Sequence, residues 1–345
     1  MKYVNTGLYY YCLNLGQALQ RQLKYSPEEL SVFGPNNHLR AAFGASVPVI
    51  SQHSLQKFYM PPTSSYQIWH STYQSSHYLP QRNKKIKVLL TIHDLNFIHE
   101  DKPDWKKERC LEHLQRNIDR SDAIVCISEF SKNDVLRHCD IGGKPIYMIY
   151  NGTNGLQTPL LQPKSYRPRI PFLFNIGVIA RKKNQHRILP LLQKNPSLEL
   201  VLAGRHEDKN YAHFLKKQAW EMNVEDRMHL VDEVTEQEKS WYYHNCQAVV
   251  IPSLAEGFGL PVTEAMSVGK PVFLSRHTAL PEIGKDFAFY FKDFDNMHED
   301  FMAGMIHYSK AGNEMKEAMK AYSATFNWED SAKKYVDVYR SMLAY

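Results

Sequence analysis

The chain has 345 residues, of which 43% are hydrophobic and 23% are charged, a composition typical of a globular protein in water. It contains no run of about 18 apolar residues that could cross a bilayer, and its N-terminal segment lacks the basic-then-apolar order of a secretory signal. The five cysteines are scattered and form no C-x-x-C pair, as expected for reduced thiols. A cytoplasmic location is therefore predicted.

The net charge of +6 comes from the first half of the chain. Residues 1–168 contain 20 Lys and Arg against 13 Asp and Glu, whereas residues 169–345 contain 22 against 23. A basic surface attracts anionic lipid headgroups, so peripheral contact with the inner face of the cytoplasmic membrane is one interpretation and a merely solvated basic face is the other. Nucleic acid is not expected as a partner, because the basic residues are dispersed and no nucleic-acid-binding motif accompanies them.

Short apolar runs alternate with helix-like stretches in the first half of the chain. Ser128 is suited to cap the helix that follows it, because its hydroxyl can accept a hydrogen bond from a free amide of the first turn. The alternation is typical of a parallel sheet covered by helices. Strands are predicted at 2–5, 67–70, 87–93, 123–128 and 146–151, and helices at 8–23, 104–119 and 129–138.

Four prolines between residues 158 and 171 predict a linker, and the strand–helix alternation resumes after it. The predicted organisation is a first domain at 1–165, a second domain at 166–325 and a C-terminal helix at 326–345. Apolar residues recur at helical spacing over 328–343, which predicts one amphipathic helix there. The strands predicted for the second half lie at 172–177, 198–204, 228–231, 248–253 and 271–275.

The segment IPSLAEGFGLPVTEAMSVGKPV, residues 251–272, carries the densest chemical signal. An apolar strand runs into a loop with two glycines, and Pro261 suits the start of the next helix because its missing N–H needs no partner there. A helix start is positively polarised and presents backbone amides, so it suits an anion or a hydroxyl-rich ligand. The residues expected to present these amides are Gly257, Phe258, Gly259 and Leu260.

Two glutamates, Glu256 and Glu264, flank this loop with seven residues between them. Taken alone, Glu264 can be helix-end electrostatics and Glu256 an exposed loop charge. Their spacing around the glycines resembles the E-x(7)-E motif of the family 4 retaining glycosyltransferases. Other segments resemble the same family in the same order along nearly the whole chain: TIHDLNF (91–97), IVCISEFSKNDV (124–135), YNG (150–152), FNIGVIARKKNQHRIL (174–189), LVLAGR (200–205) and LPEIG (280–284).

The resemblance implies an α/β fold of the GT-B type. In that fold, two Rossmann-like domains carry parallel sheets that face each other across a cleft, and the C-terminal helix crosses back to the N-terminal domain. The resemblance implies that the domain at 1–165 binds the acceptor and that the domain at 166–325 binds the nucleotide-sugar donor. The family would place Glu264 on the ribose hydroxyls of the donor nucleotide and Glu256 near the donor sugar and phosphates.

A basic cluster follows Gly177 in the segment that resembles the family's strand–glycine–basic pair. Lys182 and Lys183 match that pair and would neutralise the diphosphate as it leaves. Val178 stands where one common family pattern has an arginine. The basic role therefore falls on Lys182 and Lys183, or on Arg181.

In the first domain, His93 ends a predicted strand, where open parallel sheets place ligand-binding residues. The resemblance implies a catalytic position for His93 beside the transferred sugar; a hydrogen-bonded structural histidine is the alternative. Asp94 either orients the ring on the acceptor side or begins the loop. Gly7 aligns with the family's N-terminal glycine-rich loop, of which one glycine remains.

The predicted function is retaining, metal-independent transfer of a hexose from a nucleotide-diphosphate sugar to a glycan or lipid-linked acceptor. The overall resemblance is to bacterial enzymes of surface-polysaccharide or lipopolysaccharide assembly, which suggests GDP-mannose as donor. No metal or other cofactor is expected, and Asp293-Phe-Asp295 is interpreted as a loop rather than a D-x-D metal motif. The alternatives are an epimerase or phosphorylase of the same fold, or a catalytically silent nucleotide- or membrane-binding relative.

Overall fold

A computed structural model of the chain describes residues 6–344 except 59, 61, 62, 81–84 and 157. The chain forms two compact units, one made of Met1–Gly152 with Phe326–Tyr345 and the other of Thr153–Thr325. The strand predicted at 2–5 lies outside the described residues.

The first unit contains a four-stranded parallel sheet of order β3-β4-β5-β6 and a separate parallel pair, β1-β2. The central strands β4 and β5 are continuous apolar runs because helices cover both faces of such a sheet. The elements are α1 (Gly7–Gln22), β1 (Val32–Gly34), α2 (Asn36–Phe43), β2 (Val49–Ser51), β3 (Ile68–Ser71), β4 (Lys87–Ile92), α3 (Asn96–His99), α4 (Asp104–Asp119), β5 (Ala123–Cys126), α5 (Glu129–His138) and β6 (Ile146–Met148).

The predictions for this unit are confirmed for α1, α4, α5 and strands β3 to β6, whose ends differ by a few residues at most. Ser128 caps α5 as expected, since its hydroxyl accepts from the amide of Ser131 at 3.1 Å. The pair β1-β2 and the helices α2 and α3 were not predicted. These elements are short, and their apolar residues show too little periodicity to indicate them.

The second unit is built on a six-stranded parallel sheet of order β12-β11-β10-β7-β8-β9. Each of the five predicted strands is present, while β12 is an additional two-residue edge strand. The elements are β7 (Phe172–Ile176), α6 (Leu189–Lys194), β8 (Glu199–Ala203), α7 (Lys209–Glu221), β9 (Met228–Val231), α8 (Glu236–Asn245), β10 (Ala248–Ile251), α9 (Leu260–Ser267), β11 (Val272–Leu274), α10 (Leu280–Gly284), β12 (Phe289–Tyr290) and α11 (Met297–Ala324).

The boundary between the units lies before the proline-rich segment, not within it at residues 165 and 166 as the sequence predicts. This segment is fastened to the second unit. The amide of Lys164 donates to Glu238 at 2.9 Å, and the Tyr166 hydroxyl donates to Glu199 at 2.8 Å. Prolines remove donors and favour irregular backbone, so a packed segment of this kind has the sequence pattern of a linker.

The last helix, α12 (Trp328–Leu343), coincides with the predicted amphipathic helix and belongs to the first unit. Asn327 caps it by accepting from the amide of Asp330 at 2.7 Å. Its apolar face is buried, and the Tyr335 hydroxyl lies 2.7 Å from that of Tyr11 on α1. None of the helices in the described ranges has the length and hydropathy required to span a bilayer.

The packing of α12 predicts the effect of a single methyl group at Gly152. A Cβ built there would lie 2.4 Å from the Trp328 amide nitrogen and 2.5 Å from its indole. Trp328 is the first residue of α12, so neither group can move away without displacing the helix. Gly152→Ala is therefore expected to destabilise the protein by about 1–3 kcal/mol. Thermal unfolding measures this. Gly155→Ala is the matched control, because nothing lies within 4 Å of a Cβ there; equal midpoints for both variants would contradict the packing.

Candidate active site

The strand order of the second unit reverses between β7 and β10, which are adjacent in the sheet. The chain proceeds outward from β7 through β8 to β9 on one side, and from β10 through β11 to β12 on the other. Loops leaving the carboxyl ends of two such strands diverge and open a crevice, where ligands of open α/β sheets bind. The loop after β7 carries Gly177 and the basic cluster, and the loop after β10 carries Glu256.

Lys183 and Glu256 meet at this crevice in an ion pair, with Nζ 2.6 Å from Oε1. The two side chains are only 15% and 13% exposed, so solvent screens the pair less than it screens a surface salt bridge. Lys183 also lies against Gly177, since a Cβ built on the glycine would be 3.6 Å from Nζ. Three predicted site residues are thus brought together.

Further hydrogen bonds hold the loop after β10, one of them to the loop after β7. The amide of Leu254 donates to the carbonyl of Lys182 at 2.8 Å, and the Ser253 hydroxyl donates to Glu256 Oε1 at 2.8 Å. The Glu256 amide donates to the hydroxyl of Thr278 at 2.8 Å. Thr278 has a φ of 53°, a strained conformation for a β-branched residue. The position of Glu256 is therefore fixed from both its backbone and its side chain.

The three basic residues of the cluster have different surroundings. Lys183 pairs with Glu256, while Arg181 is exposed and its guanidinium lies 5.4 Å from the ring centre of Phe214 and 5.9 Å from that of Tyr211. Lys182 is half-buried and contacts the neighbouring loop through its carbonyl. The side chain of Lys183 thus contacts two other predicted site residues, Glu256 and Gly177.

The glycine-rich loop leads directly into α9. Gly259 precedes the first helical residue, Leu260, with a φ of 98°, a conformation that side chains rarely adopt. Gly257 and Phe258 are buried with it, and the Phe258 side chain is 3% exposed. Pro261 lies at the second position of the helix, one later than predicted.

Glu264 is the fifth residue of α9, just beyond the first turn of that helix. It is 3% exposed. Its Oε1 accepts from Lys239 Nζ at 2.9 Å and from Asn154 Nδ2 at 3.2 Å, and its Oε2 accepts from the Tyr243 hydroxyl at 2.8 Å. In the described residues Glu264 thus has partners of its own, separate from the Lys183–Glu256 pair.

In the first unit, His93 follows β4, at the carboxyl end of a central strand as predicted. Its Nε2 lies 2.8 Å from the carbonyl of Thr72, a contact that places the ring proton on Nε2. Tyr11 packs edge-to-face on the ring, 4.6 Å between centroids. Burial lowers the pKa of His93 from its ordinary value, although Thr72 and Asp94 oppose this. The imidazole is therefore neutral at pH 7.

The two other predicted residues of the first unit have less specific surroundings. Asp94 Oδ1 accepts from the amide of Asn96 at 3.0 Å, a contact typical of a carboxylate at the start of a loop. Gly7 is exposed as the first residue of α1, and nothing lies within 4 Å of a Cβ built there. Neither contact by itself indicates a ligand.

Several residues of the site were not predicted from the sequence: Ser253, Thr278, Lys239, Tyr243 and Asn154. Ser253 directly follows the apolar run that ends at Pro252, and Asn154 lies two residues after the family-like YNG, so their positions carried a signal. Thr278, Lys239 and Tyr243 are distant in sequence from the residues they contact, and no local pattern marks them. Within the described ranges, no group of three or more His, Cys, Asp and Glu residues could hold a metal ion.

The loop after β7 and the loop after β10, joined by their ion pair, lie within a region that matches a known family. Residues 9–154 match the family model described as Glycosyltransferase Family 4, and residues 162–325 match the one described as Glycosyl transferases group 1. The chain belongs to the family 4 glycosyltransferases. It is an enzyme of the glycosyltransferase class, as predicted from its E-x(7)-E segment.

Curated relatives and solved structures agree. The chain is 24% identical over 294 residues to O-antigen chain mannosyltransferase B of Escherichia coli, covering 76% of this chain and 72% of the relative. It is 24% identical over 202 residues to O-antigen chain mannosyltransferase RfbU of Salmonella typhimurium, covering 58% and 55%. Anabaena HepE in complex with UDP-glucose superposes with a TM-score of 0.76 at 14% identity, covering 97% and 96%. The GT-B fold is thereby confirmed.

His70 interacts electrostatically with His93 and belongs to a buried polar network in the first unit. His70 Nε2 lies 2.7 Å from the Thr91 hydroxyl, and Nδ1 lies 2.8 Å from that of Tyr339 on α12. Burial, with a smaller contribution from His93, lowers the pKa of His70 to about 3. The folded protein thus resists protonation of His70 where the unfolded chain accepts it.

This pKa difference predicts a pH-dependent stability. The unfolded chain binds a proton at His70 below pH about 6.5, whereas the folded protein does so only near pH 3. The contribution of His70 to the free energy of unfolding is therefore fully present above pH 6.5 and is lost as the pH falls. Urea unfolding at pH 7 and pH 5 should show a loss of about 1–2 kcal/mol from this residue. His70→Gln keeps polar atoms but does not titrate, so its free energy of unfolding should fall by about 1–2 kcal/mol less between pH 7 and pH 5 than that of the unmodified protein. An equal fall in both proteins would contradict the assignment.

Proposed function

We propose that the enzyme is a retaining, metal-independent mannosyltransferase that moves mannose from GDP-mannose to a glycan or lipid-linked acceptor in surface-polysaccharide biosynthesis. The Lys183–Glu256 pair at the strand-order reversal is the observation that carries the donor site. The choice of mannose rests on the names of the relatives, which are O-antigen chain mannosyltransferases.

Lys183 is the residue best suited to stabilise the leaving diphosphate. An ammonium has three N–H donors, and one of them is directed to Glu256. The others can bind phosphate oxygens, whose negative charge grows as the glycosidic bond breaks. This cation comes from the protein, so the proposal requires no metal ion.

Glu256 and His93 are proposed to contact the transferred sugar. Glu256 is held by Lys183 and Ser253 through one oxygen, Oε1, which leaves Oε2 to accept from a sugar hydroxyl. His93 donates through Nε2 to Thr72, so Nδ1 of its neutral ring is an acceptor. Retention is proposed on family grounds, with the acceptor attacking the face from which the diphosphate departs.

The acceptor side is proposed to lie in the first unit. A lipid-linked acceptor would bring the enzyme to the inner face of the cytoplasmic membrane, and the excess of basic residues in the first half would favour anionic headgroups there. This peripheral contact is the part of the proposal that a vesicle-sedimentation experiment tests, with binding expected to weaken as salt is raised.

A transfer assay tests the function directly. The protein is incubated with labelled GDP-mannose and, in parallel, UDP-glucose, with a mannose-terminated acceptor, in the presence and absence of EDTA. The expected product is an α-mannoside whose anomeric configuration, read by NMR, matches the donor, formed equally with EDTA. A β-product would contradict retention, and loss with EDTA would contradict metal independence. Isomerised donor would indicate an epimerase, sugar phosphate a phosphorylase, and no donor binding a silent relative.

The surroundings of the basic cluster predict unequal roles for its members. Lys183→Ala is expected to lower kcat by about 10²-fold or more, because it removes a preorganised cation at the leaving group. Lys182→Ala should have a smaller effect, and Arg181→Ala little, because its guanidinium lies over the rings of Tyr211 and Phe214. Steady-state kinetics on variants with comparable thermal midpoints measure this. A larger effect for Arg181→Ala would reassign the phosphate contact.

A further inference from the structure

A lysine is buried in the second unit, on α8. Lys239 is 6% exposed, and its Nζ lies 2.9 Å from Glu264 Oε1 and 2.7 Å from Glu236 Oε2. Burial opposes the charge, but the two carboxylates outweigh it, so that the pKa of Lys239 is raised above its ordinary value. A buried lysine is rare unless it is paired, and this one is a charged ammonium between two carboxylates.

A tyrosine on the same helix contacts the other oxygen of Glu264. Tyr243 follows Lys239 by four residues, one helical turn, so both side chains lie on one face of α8. Its hydroxyl donates to Oε2 at 2.8 Å. Burial raises the pKa of Tyr243 well above its ordinary value, so the hydroxyl keeps its proton. One face of α8 therefore supplies a donor to each carboxylate oxygen.

The hydrogen bonds of Glu264 restrict what a ligand can add. Each carboxylate oxygen has two lone pairs. Oε1 accepts from Lys239 and Asn154, which uses both, whereas within the described part of the chain Oε2 accepts from Tyr243 alone. Rotation of the carboxylate would break these bonds. One acceptor position, on Oε2, is left for a ligand.

We infer that Lys239 is a positioning residue for nucleotide recognition: together with Tyr243 it fixes the Glu264 carboxylate so that Oε2 accepts from one hydroxyl of the donor ribose. The inference rests on the proposed function, in which Glu264 binds the donor nucleotide. It differs from the sequence expectation of two vicinal hydroxyls on this carboxylate, because the protein itself already uses three of the four acceptor positions.

The test compares dissociation constants of GDP, 2′-deoxy-GDP and 3′-deoxy-GDP by calorimetry. For the unmodified protein, one deoxy analogue is expected to bind about tenfold or more weakly, as for a lost charged hydrogen bond, and the other like GDP. In Lys239→Met this difference should fall to within about threefold. If both analogues bind equally weakly, or both like GDP, the one-hydroxyl arrangement is overturned.

Two further variants separate positioning from structure. Tyr243→Phe removes only a hydroxyl and should also reduce the difference between the analogues, so the inference is testable even if Lys239→Met does not fold. Lys217→Met removes an exposed lysine paired with Glu221 on α7 and should leave the difference intact. A purely structural Lys239 would lower the unfolding midpoint while the ratio of dissociation constants stayed unchanged, which would overturn the inference.

Failure of the proposed function gives a different result. If the unmodified protein binds neither GDP nor UDP, and transfers no sugar, the function itself is wrong. If it transfers mannose and discriminates between the analogues, and Glu264→Gln abolishes the difference while Lys239→Met does not, the function stands and only the positioning role is lost.

Discussion

The proposed donor site depends on one ion pair at one point of a parallel sheet. Adjacent strands with opposite directions of crossover send their loops apart, and a ligand-sized crevice requires that those loops be held at fixed positions. Lys183 and Glu256 do this across the β7–β10 reversal, at 2.6 Å and with little exposure to water. The hydrogen bond from Leu254 to Lys182 also joins the two loops, and that from Ser253 fixes the Glu256 side chain within its own loop. Binding geometry and local stability thus share the same atoms.

The Lys183–Glu256 pair also determines the local charge of the site. In the structure described here, the positive charge of the Lys183 ammonium is balanced by the carboxylate of Glu256 beside it. In the proposed function, a bound diphosphate brings negative charge and accepts from the N–H donors of Lys183 that Glu256 leaves unused. Because the pair is preorganised, little rearrangement is needed when negative charge develops on the leaving group.

Much of this arrangement could be predicted from the sequence, because it is encoded locally. Continuous apolar runs gave the buried strands, and helical spacing gave α4, α5 and α12 with their observed ends. The glycines and glutamates of the loop before α9 are close together in sequence, so their common site was recognisable. The proline-rich segment misled for the same reason: local composition indicates irregular backbone but not what that backbone packs against.

The surroundings of Glu264 show what local patterns leave out. Its three donors come from the segment after Gly152 and from two turns of α8, and only the folded sheet brings them together. Lys239 within TEQEKSWYY has the sequence character of a solvated helix residue, yet it is buried. Likewise, the choice among Arg181, Lys182 and Lys183 depends on side-chain directions in one short turn, which periodicity does not report.

Because α12 belongs to the first unit, it affects the order in which the two units can finish folding during synthesis. The core of that unit includes Tyr335 and Trp328, which are synthesised after the whole of the second unit. The second unit, by contrast, is continuous, and its ends are joined where the Thr153 hydroxyl donates to the Ser323 carbonyl at 3.4 Å. The second unit can therefore finish folding first. In the first unit, the surface of α1 that α12 covers stays exposed until α12 has been synthesised.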